Sequence, residues 1–214
     1  MTKIQLDVVS DVVCPWCWLG KRRLDAALES IDDLEIEVTF RPFQLDPDVP
    51  AGGVDYKRYM EAKFGDLSRI TASQEHLVAA GAALGMTYRF GEIANRPNTL
   101  DAHRLIRWAN GQGKGGDAVE ALFRAHFADL KDVGDAAALA EIGGAAGLDS
   151  KLVAELLASG RDKAEVQAEE AFFRRLGIGA VPTFIAQGRT AVQGAQEPDA
   201  LVRFIRAAAA APAA

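Results

Sequence analysis

Cysteine is scarce in this chain: 214 residues contain two, and both lie in Cys14-Pro15-Trp16-Cys17. With both thiols spent in one place, none remains to cross-link distant segments, so a disulfide-stapled scaffold is excluded. No run of about 20 uninterrupted apolar residues occurs, which excludes a membrane-spanning helix. Positive charge is also in deficit. Lysine and arginine number 24 against 30 acidic residues, for a formal net charge of −6. That balance argues against nucleic acid or an anionic membrane as a partner. The opening Met1-Thr2-Lys3-Ile4 lacks the basic start, apolar core and small-residue cleavage site of a secretion signal. The expected location is therefore the cytoplasm. In that reducing compartment an isolated cysteine pair is expected to be catalytic or metal-binding rather than structural. Internal repeats are lacking too, and the Ala-rich end is compositional bias. What the chain does have is apolar residues, 49% of the total, enough for a well-buried core. Its length suits one large domain, or one domain with a substantial insertion.

The first forty residues read as strand, helix, strand. Ile4, Leu6, Val8 and Val9 form a short apolar run. After Cys14, Leu19, Leu24, Ala27, Leu28 and Ile31 recur at helical spacing, with Lys21, Arg22, Arg23 and Asp25 expected to face outward. Leu34 to Phe40 alternates apolar and charged residues as a half-buried strand does. Two such strands joined by a helix form a parallel βαβ unit, with chemistry expected at the strand C-terminal ends. Cys14 falls there. Asp46 to Gly53 is a turn-rich loop. From about Tyr56 to Leu176 the pattern is mostly helical, with helices expected to start at Asn98 or Thr99 and to cover 117–129, 135–146, 150–158 and 161–176. Gly147 and Gly160 read as helix stops. Thr183–Ala186 and Thr190–Val192 flank Gln187-Gly188-Arg189, a hairpin pattern, and a last helix begins near Pro198. The tail Ala207–Ala214 is expected to fray. The order is βαβ, a helical block, then ββα.

A thiol at a strand-to-helix junction sits where unpaired N–H groups and the helix dipole favour an anion. The thiolate is then available at neutral pH. Cys14, nearer the helix start and solvent, is the expected nucleophile, and Cys17, one turn later, the expected resolving thiol. Pro15 suits the first helical turn, and Trp16 offers an apolar rim for a partner. The alternative, half of a zinc site, needs two further ligands. No second cysteine pair exists, and His76, His103 and His126 are far apart in sequence, so no metal is expected. Asp11 can tune the thiol or cap a turn. Asn98 reads as a helix cap. Lys21, Arg22 and Arg23 can favour a thiolate or form a solvated helix face. Pro182, from the residues alone, can be an ordinary trans proline opening a strand.

Cys14-Pro15-Trp16-Cys17 together with Gly177-Ile178-Gly179-Ala180-Val181-Pro182-Thr183-Phe184 resembles the DsbA-like thioredoxin family, and within it the cytoplasmic FrnE-type branch. Further landmarks are Arg41-Pro42-Phe43-Gln44-Leu45-Asp46-Pro47, Asn98-Thr99-Leu100-Asp101-Ala102-His103-Arg104 and Gly194-Ala195-Gln196. The resemblance covers nearly the whole chain. It implies an α/β thioredoxin-like fold (βαβ, then ββα) formed by residues 1–50 and 175–214, with a large all-helical insertion at 51–174. It also implies a thiol–disulfide oxidoreductase that exchanges a Cys14–Cys17 disulfide with protein or small-molecule thiols, and a cis Val181–Pro182 bond beside it. Val181 and Pro182 would then present backbone to substrate, and His103 would line a substrate groove. The residues themselves also allow His103 to be a packed or solvated flank of its helix. No cofactor is expected beyond glutathione as a co-substrate.

Two other readings stay open. Kappa-class glutathione transferases and 2-hydroxychromene-2-carboxylate isomerases share the architecture but typically carry serine where Cys14 stands. A non-catalytic, chaperone-like peptide binder is the third reading, and retention of both thiols argues against it. The direction of exchange and the oligomeric state are not set by the sequence, although the insertion offers a surface for a homodimer.

Overall fold

The computed structural model describes residues 2–65 and 68–211. Its central sheet has four strands: β1 (Thr2–Ser10), β2 (Leu34–Pro42), β5 (Thr183–Ala186) and β6 (Thr190–Gln193), in the order β2-β1-β5-β6. β1 runs parallel to β2, with Ile4 opposite Ile36 and Val8 opposite Phe40, while β5 pairs antiparallel with both β1 and β6. The parallel pair is joined by α1 (Pro15–Glu29), as the βαβ pattern requires. Gln187 and Gly188 both take positive φ between β5 and β6, the turn geometry whose twist matches a tight hairpin. α9 (Pro198–Ala210) packs on α1 and continues one turn into the expected frayed tail, because Ala208 is buried. Residues 212–214 of that tail lie outside the described residues.

Between β2 and β5 lie α2 (Tyr56–Phe64), α3 (Ser68–Ala82), α4 (Leu100–Asn110), α5 (Gly115–Phe127), α6 (Ala136–Ala145), α7 (Ser150–Ser159) and α8 (Lys163–Arg175). The stretch is not purely helical: β3 (Val54–Asp55) and β4 (Asn95–Arg96) form a two-residue antiparallel ribbon. Asp135 and Asp149 cap α6 and α7 through their carboxylates, and Gly160 ends α7 in the left-handed region, where glycine alone is unstrained. Asn98 accepts the Leu100 N–H at the start of α4, as a capping side chain should.

The two parts share one apolar core. Trp18 of α1 lies 5.0 Å from Tyr88, 6.3 Å from Phe123 and 5.8 Å from Phe127, all of the insertion. Its indole N–H donates to Glu120 of α5, which also pairs with Lys21 and Arg22. Arg23 binds Glu197 and the Ala195 carbonyl. Lys21, expected to face outward, is therefore buried. The basic run clamps the insertion and the last helix onto α1, because a buried ammonium must be paired.

Gly20 is where α1 passes closest to the Pro182 loop. A Cβ built there would sit 2.8 Å from Pro182 Cγ and 3.4 Å from Phe184 Cζ. Alanine in a helix interior normally gains about 1 kcal/mol over glycine. Here the clash with a rigid ring costs roughly 1–3 kcal/mol and should win. Gly20→Ala is thus expected to lower the melting temperature by a few degrees, read by circular dichroism. A rise would contradict the close approach.

Candidate active site

Cys14 is the N-cap residue of α1, in extended backbone (φ −96°, ψ 112°), with Pro15 as the first helical residue. The sequence builds this locally. β1 ends at Ser10, the Cys14 N–H closes a turn on the Asp11 carbonyl (3.0 Å), and the Cys17 N–H returns to the Cys14 carbonyl (3.0 Å). Both cysteines are free thiols and both are buried, Cys14 at 5% and Cys17 at 1% exposure. Cys14, expected nearer solvent than Cys17, is the more exposed of the two and faces a cavity of about 350 Å³ roofed by the insertion.

The two thiols are treated oppositely. The Cys17 side chain donates to the Cys14 sulfur and lowers its pKa. Burial opposes this, and the main-chain N–H groups of Cys17 and Trp16 add to the lowering, so Cys14 ends below its ordinary value. Burial pushes Cys17 well above its ordinary value, and the Cys14 thiolate beside it adds to the rise.

Val181 and Pro182 stand against this pair. Their peptide bond is cis, and the Val181 carbonyl is 3.9 Å from Cys14 Sγ. Gly194, with φ +85°, donates its N–H to the Pro182 carbonyl and so ties the loop to β6. Pro15 and Trp16 line the Cys14 cavity, and the Trp16 ring stacks on His76 at 5.7 Å. His103 is not brought to this cavity. It is 2% exposed and lies against Asp11.

The cavity walls include residues that the sequence reading did not single out. Tyr56, Tyr59, Met60 and Lys63 line it from α2, Leu77 from α3 and Arg96 from β4. The spacing Tyr56, Tyr59, Met60, Lys63 marks one helix face, but nothing local says that the face turns toward Cys14. Tyr88 donates its hydroxyl to the Pro15 carbonyl at 2.8 Å and fixes the helix start. Arg96 donates to the Val13 carbonyl, contacts Asp46 at 2.5 Å and lies over the Tyr59 ring, while Lys63 binds the other Asp46 oxygen. Two cations thus share one carboxylate at the cavity wall. Among the described residues, no group of three or more His, Cys, Asp or Glu side chains is placed to hold a metal ion, and no helix is long and apolar enough to cross a membrane.

A family model described as a DSBA-like thioredoxin domain matches residues 5–206. The chain belongs to that family. Among solved structures, this DSBA-like protein is similar to a probable DsbA oxidoreductase, SCO1869, from Streptomyces coelicolor, with 31% identity, 99% of this chain and 92% of the other covered, and a TM-score of 0.88. It is 28% identical to YwbO of Bacillus subtilis, over 94% of this chain and 96% of that protein. Its fold also matches the cytosolic disulfide reductase DsbM from Pseudomonas aeruginosa at 19% identity, with 95% and 97% of the two chains covered and a TM-score of 0.67. The helical insertion belongs to the shared architecture. For this DSBA-like protein, family membership supports a function of the thiol–disulfide oxidoreductase or isomerase type.

Proposed function

We propose that the protein is a thiol–disulfide oxidoreductase that works through a mixed disulfide on Cys14. The observation that carries this reading is the opposed poise of the two thiols, with Cys14 drawn toward thiolate at the wall of a cavity and Cys17 held protonated beneath it. The Cys14 thiolate attacks one sulfur of a substrate disulfide and expels the other as a thiolate. Cys17 then gives up its proton and attacks Cys14 Sγ. The Cys14–Cys17 bond forms and the second substrate thiolate leaves, so two electrons pass from the dithiol to the substrate. Run backwards, the same steps oxidise a dithiol. Val181 and Pro182 flank the sulfur under attack, with the Val181 carbonyl on the side from which an extended chain could add as a strand.

A second reading, a glutathione-dependent transferase or isomerase, is favoured by one feature. The Cys14 cavity of about 350 Å³ is walled by Tyr56, Tyr59, Met60 and Phe64, with Lys63 and Arg96 among them, and suits a small apolar or anionic molecule. The fold is shared with the P. aeruginosa reductase solved with GSH, which makes glutathione the first small thiol to test.

Equilibration in graded glutathione redox buffers, followed by alkylation of free thiols, separates the two readings. The expected result is a reversible Cys14–Cys17 disulfide with a potential between about −120 and −270 mV. A stable glutathione adduct on Cys14, with no internal disulfide, would establish the second reading instead.

A further inference from the structure

The Cys14 cavity does not end at its apolar wall. A further cavity of about 230 Å³ adjoins it, and Tyr56, Met60, Ile70, Gln74 and Phe90 line both. Gly91 and Ile93 line the second and not the first. Tyr56 and Met60 come from α2, Ile70 from α3 and Phe90 from the short helical turn Phe90–Glu92. All four are half-buried, and no residue of α2 is fully buried. Large, mainly apolar side chains from three elements thus converge on a space that the described chain leaves open.

The charged groups at the Cys14 cavity are already engaged. Lys63 Nζ donates to an Asp46 oxygen and to the Tyr59 hydroxyl, each at 2.6 Å. Arg96 donates to the other Asp46 oxygen and to the Val13 carbonyl, and its Nε is buried. In the second cavity the charged wall residue, Lys57, is exposed. Among the described residues, neither lining includes an acidic side chain. A carboxylate or ammonium carried in by a substrate would lose water without a dedicated partner, which is costly. An apolar group gains free energy with every methylene it buries.

We propose that the substrates of Cys14 are low-molecular-weight disulfides bearing a neutral apolar arm, and that the second cavity is the subsite for that arm. The inference rests on the exchange mechanism proposed above and names its substrate class. With the arm seated between α2 and α3, the Cys14 thiolate attacks the sulfur that carries it. The new S–S bond forms, the old one breaks, and the other half of the substrate leaves as a thiolate with the electron pair. Cys17 then gives up its proton and attacks Cys14 Sγ, and the arm-bearing half leaves as a thiolate that takes up a proton. Glutathione, with its carboxylates and ammonium, is a poor fit to such a subsite.

The test uses the reduced full-length protein and N,N′-diacylcystamines, symmetric disulfides that keep one reacting unit and one leaving group while the acyl arm varies. Each rate of attack is divided by that of N-acetylcysteine on the same disulfide, which removes intrinsic reactivity. The dibutanoyl compound is expected to exceed the diacetyl one by about tenfold, the scale of burying two methylene groups. Glutathione disulfide is expected to fall below both. Gly91→Leu should bring the dibutanoyl-to-diacetyl ratio near one, because a Cβ at Gly91 meets open space and a longer side chain can occupy the subsite. Ile70→Glu, which puts a charge on the wall shared by the two cavities, should do the same. A general loss of folded protein lowers both rates alike and leaves the ratio unmoved. A wild-type ratio near one, a preference for glutathione disulfide, or folded variants that keep the wild-type ratio would overturn the subsite. Should neither variant fold, the wild-type series decides alone. A wild-type protein that reacts with none of these disulfides would overturn the exchange mechanism itself.

Discussion

Cys14→Ser is expected to abolish disulfide exchange, with turnover falling by at least about a thousand-fold. A hydroxyl is a weak nucleophile at neutral pH, and nothing at the site can act as a strong base on it. Cys17→Ser should behave differently. The Cys14 thiolate would still attack, because the serine hydroxyl can take over donation to it from the Cys17 thiol. The mixed disulfide would then accumulate because nothing resolves it. Mass spectrometry after incubation with a small disulfide reads both outcomes. A Cys14→Ser protein that still turns over, or a Cys17→Ser protein that carries no adduct, would remove the assigned roles.

The largest loss of stability is expected from Arg104→Met. Arg104 is fully buried and lies over the Trp108 ring at 5.1 Å. Its guanidinium donates to Asp101 (2.9 Å) on its own helix, and to the carbonyls of Leu156 (2.6 Å), Leu157 (3.2 Å) and Arg161 (2.6 Å) at the end of α7. Leu156 and Leu157 lie in the last turn of α7, whose carbonyls lack N–H partners further along the helix, and Arg161 follows its Gly160 cap. Methionine fills much of the volume but removes all four of these hydrogen bonds, leaving Leu156 and Leu157 only the Ser159 hydroxyl and the Gly160 N–H, and Asp101 only the more distant Lys163. Breaking such a buried charged network costs roughly 3–5 kcal/mol. For a chain of this length that is about 10 °C or more in melting temperature. Chemical or thermal denaturation checks it, and a loss under about 1 kcal/mol would mean that the network is not holding α4 to α7.

The parts of the fold carried by local pattern were legible in the sequence. Ile4, Leu6 and Val8 marked β1, the Leu34 to Phe40 alternation marked β2, and Gly160 with its positive φ marked the end of α7. Cys14 and Cys17 were legible because the spacing of the only two thiols leaves little else for them to do. What escaped depends on tertiary contact. The β3–β4 ribbon is two residues a side and has no period to read. Lys21 looked solvated because its partner, Glu120, lies far along the chain on α5. His103 was expected in a groove on the strength of its motif, but helix phase alone could not show that it turns toward Asp11. Arg96, Tyr59 and Lys63 reach the Cys14 cavity only because the Asp46 carboxylate gathers two of them. The segment Arg41 to Asp46, read only as a landmark, is wiring: Arg41 binds Asp7 and Glu169, the Gln44 N–H reaches Glu170, and Leu45 and Asp46 hold Asp11 and Arg96.

The central claim is that Cys14 is the thiolate and Cys17 the protonated thiol. Its most direct test is alkylation of the reduced protein against pH, with each cysteine quantified by peptide mass spectrometry. Lowering of the Cys14 pKa means that labelling of Cys14 should reach half its maximum below the ordinary thiol value of about 8.5. Raising of the Cys17 pKa means that Cys17 should stay unlabelled until pH climbs well above that value. If Cys17 were labelled first, or if both thiols titrated together near the ordinary value, the assigned roles and the mechanism built on them would be wrong.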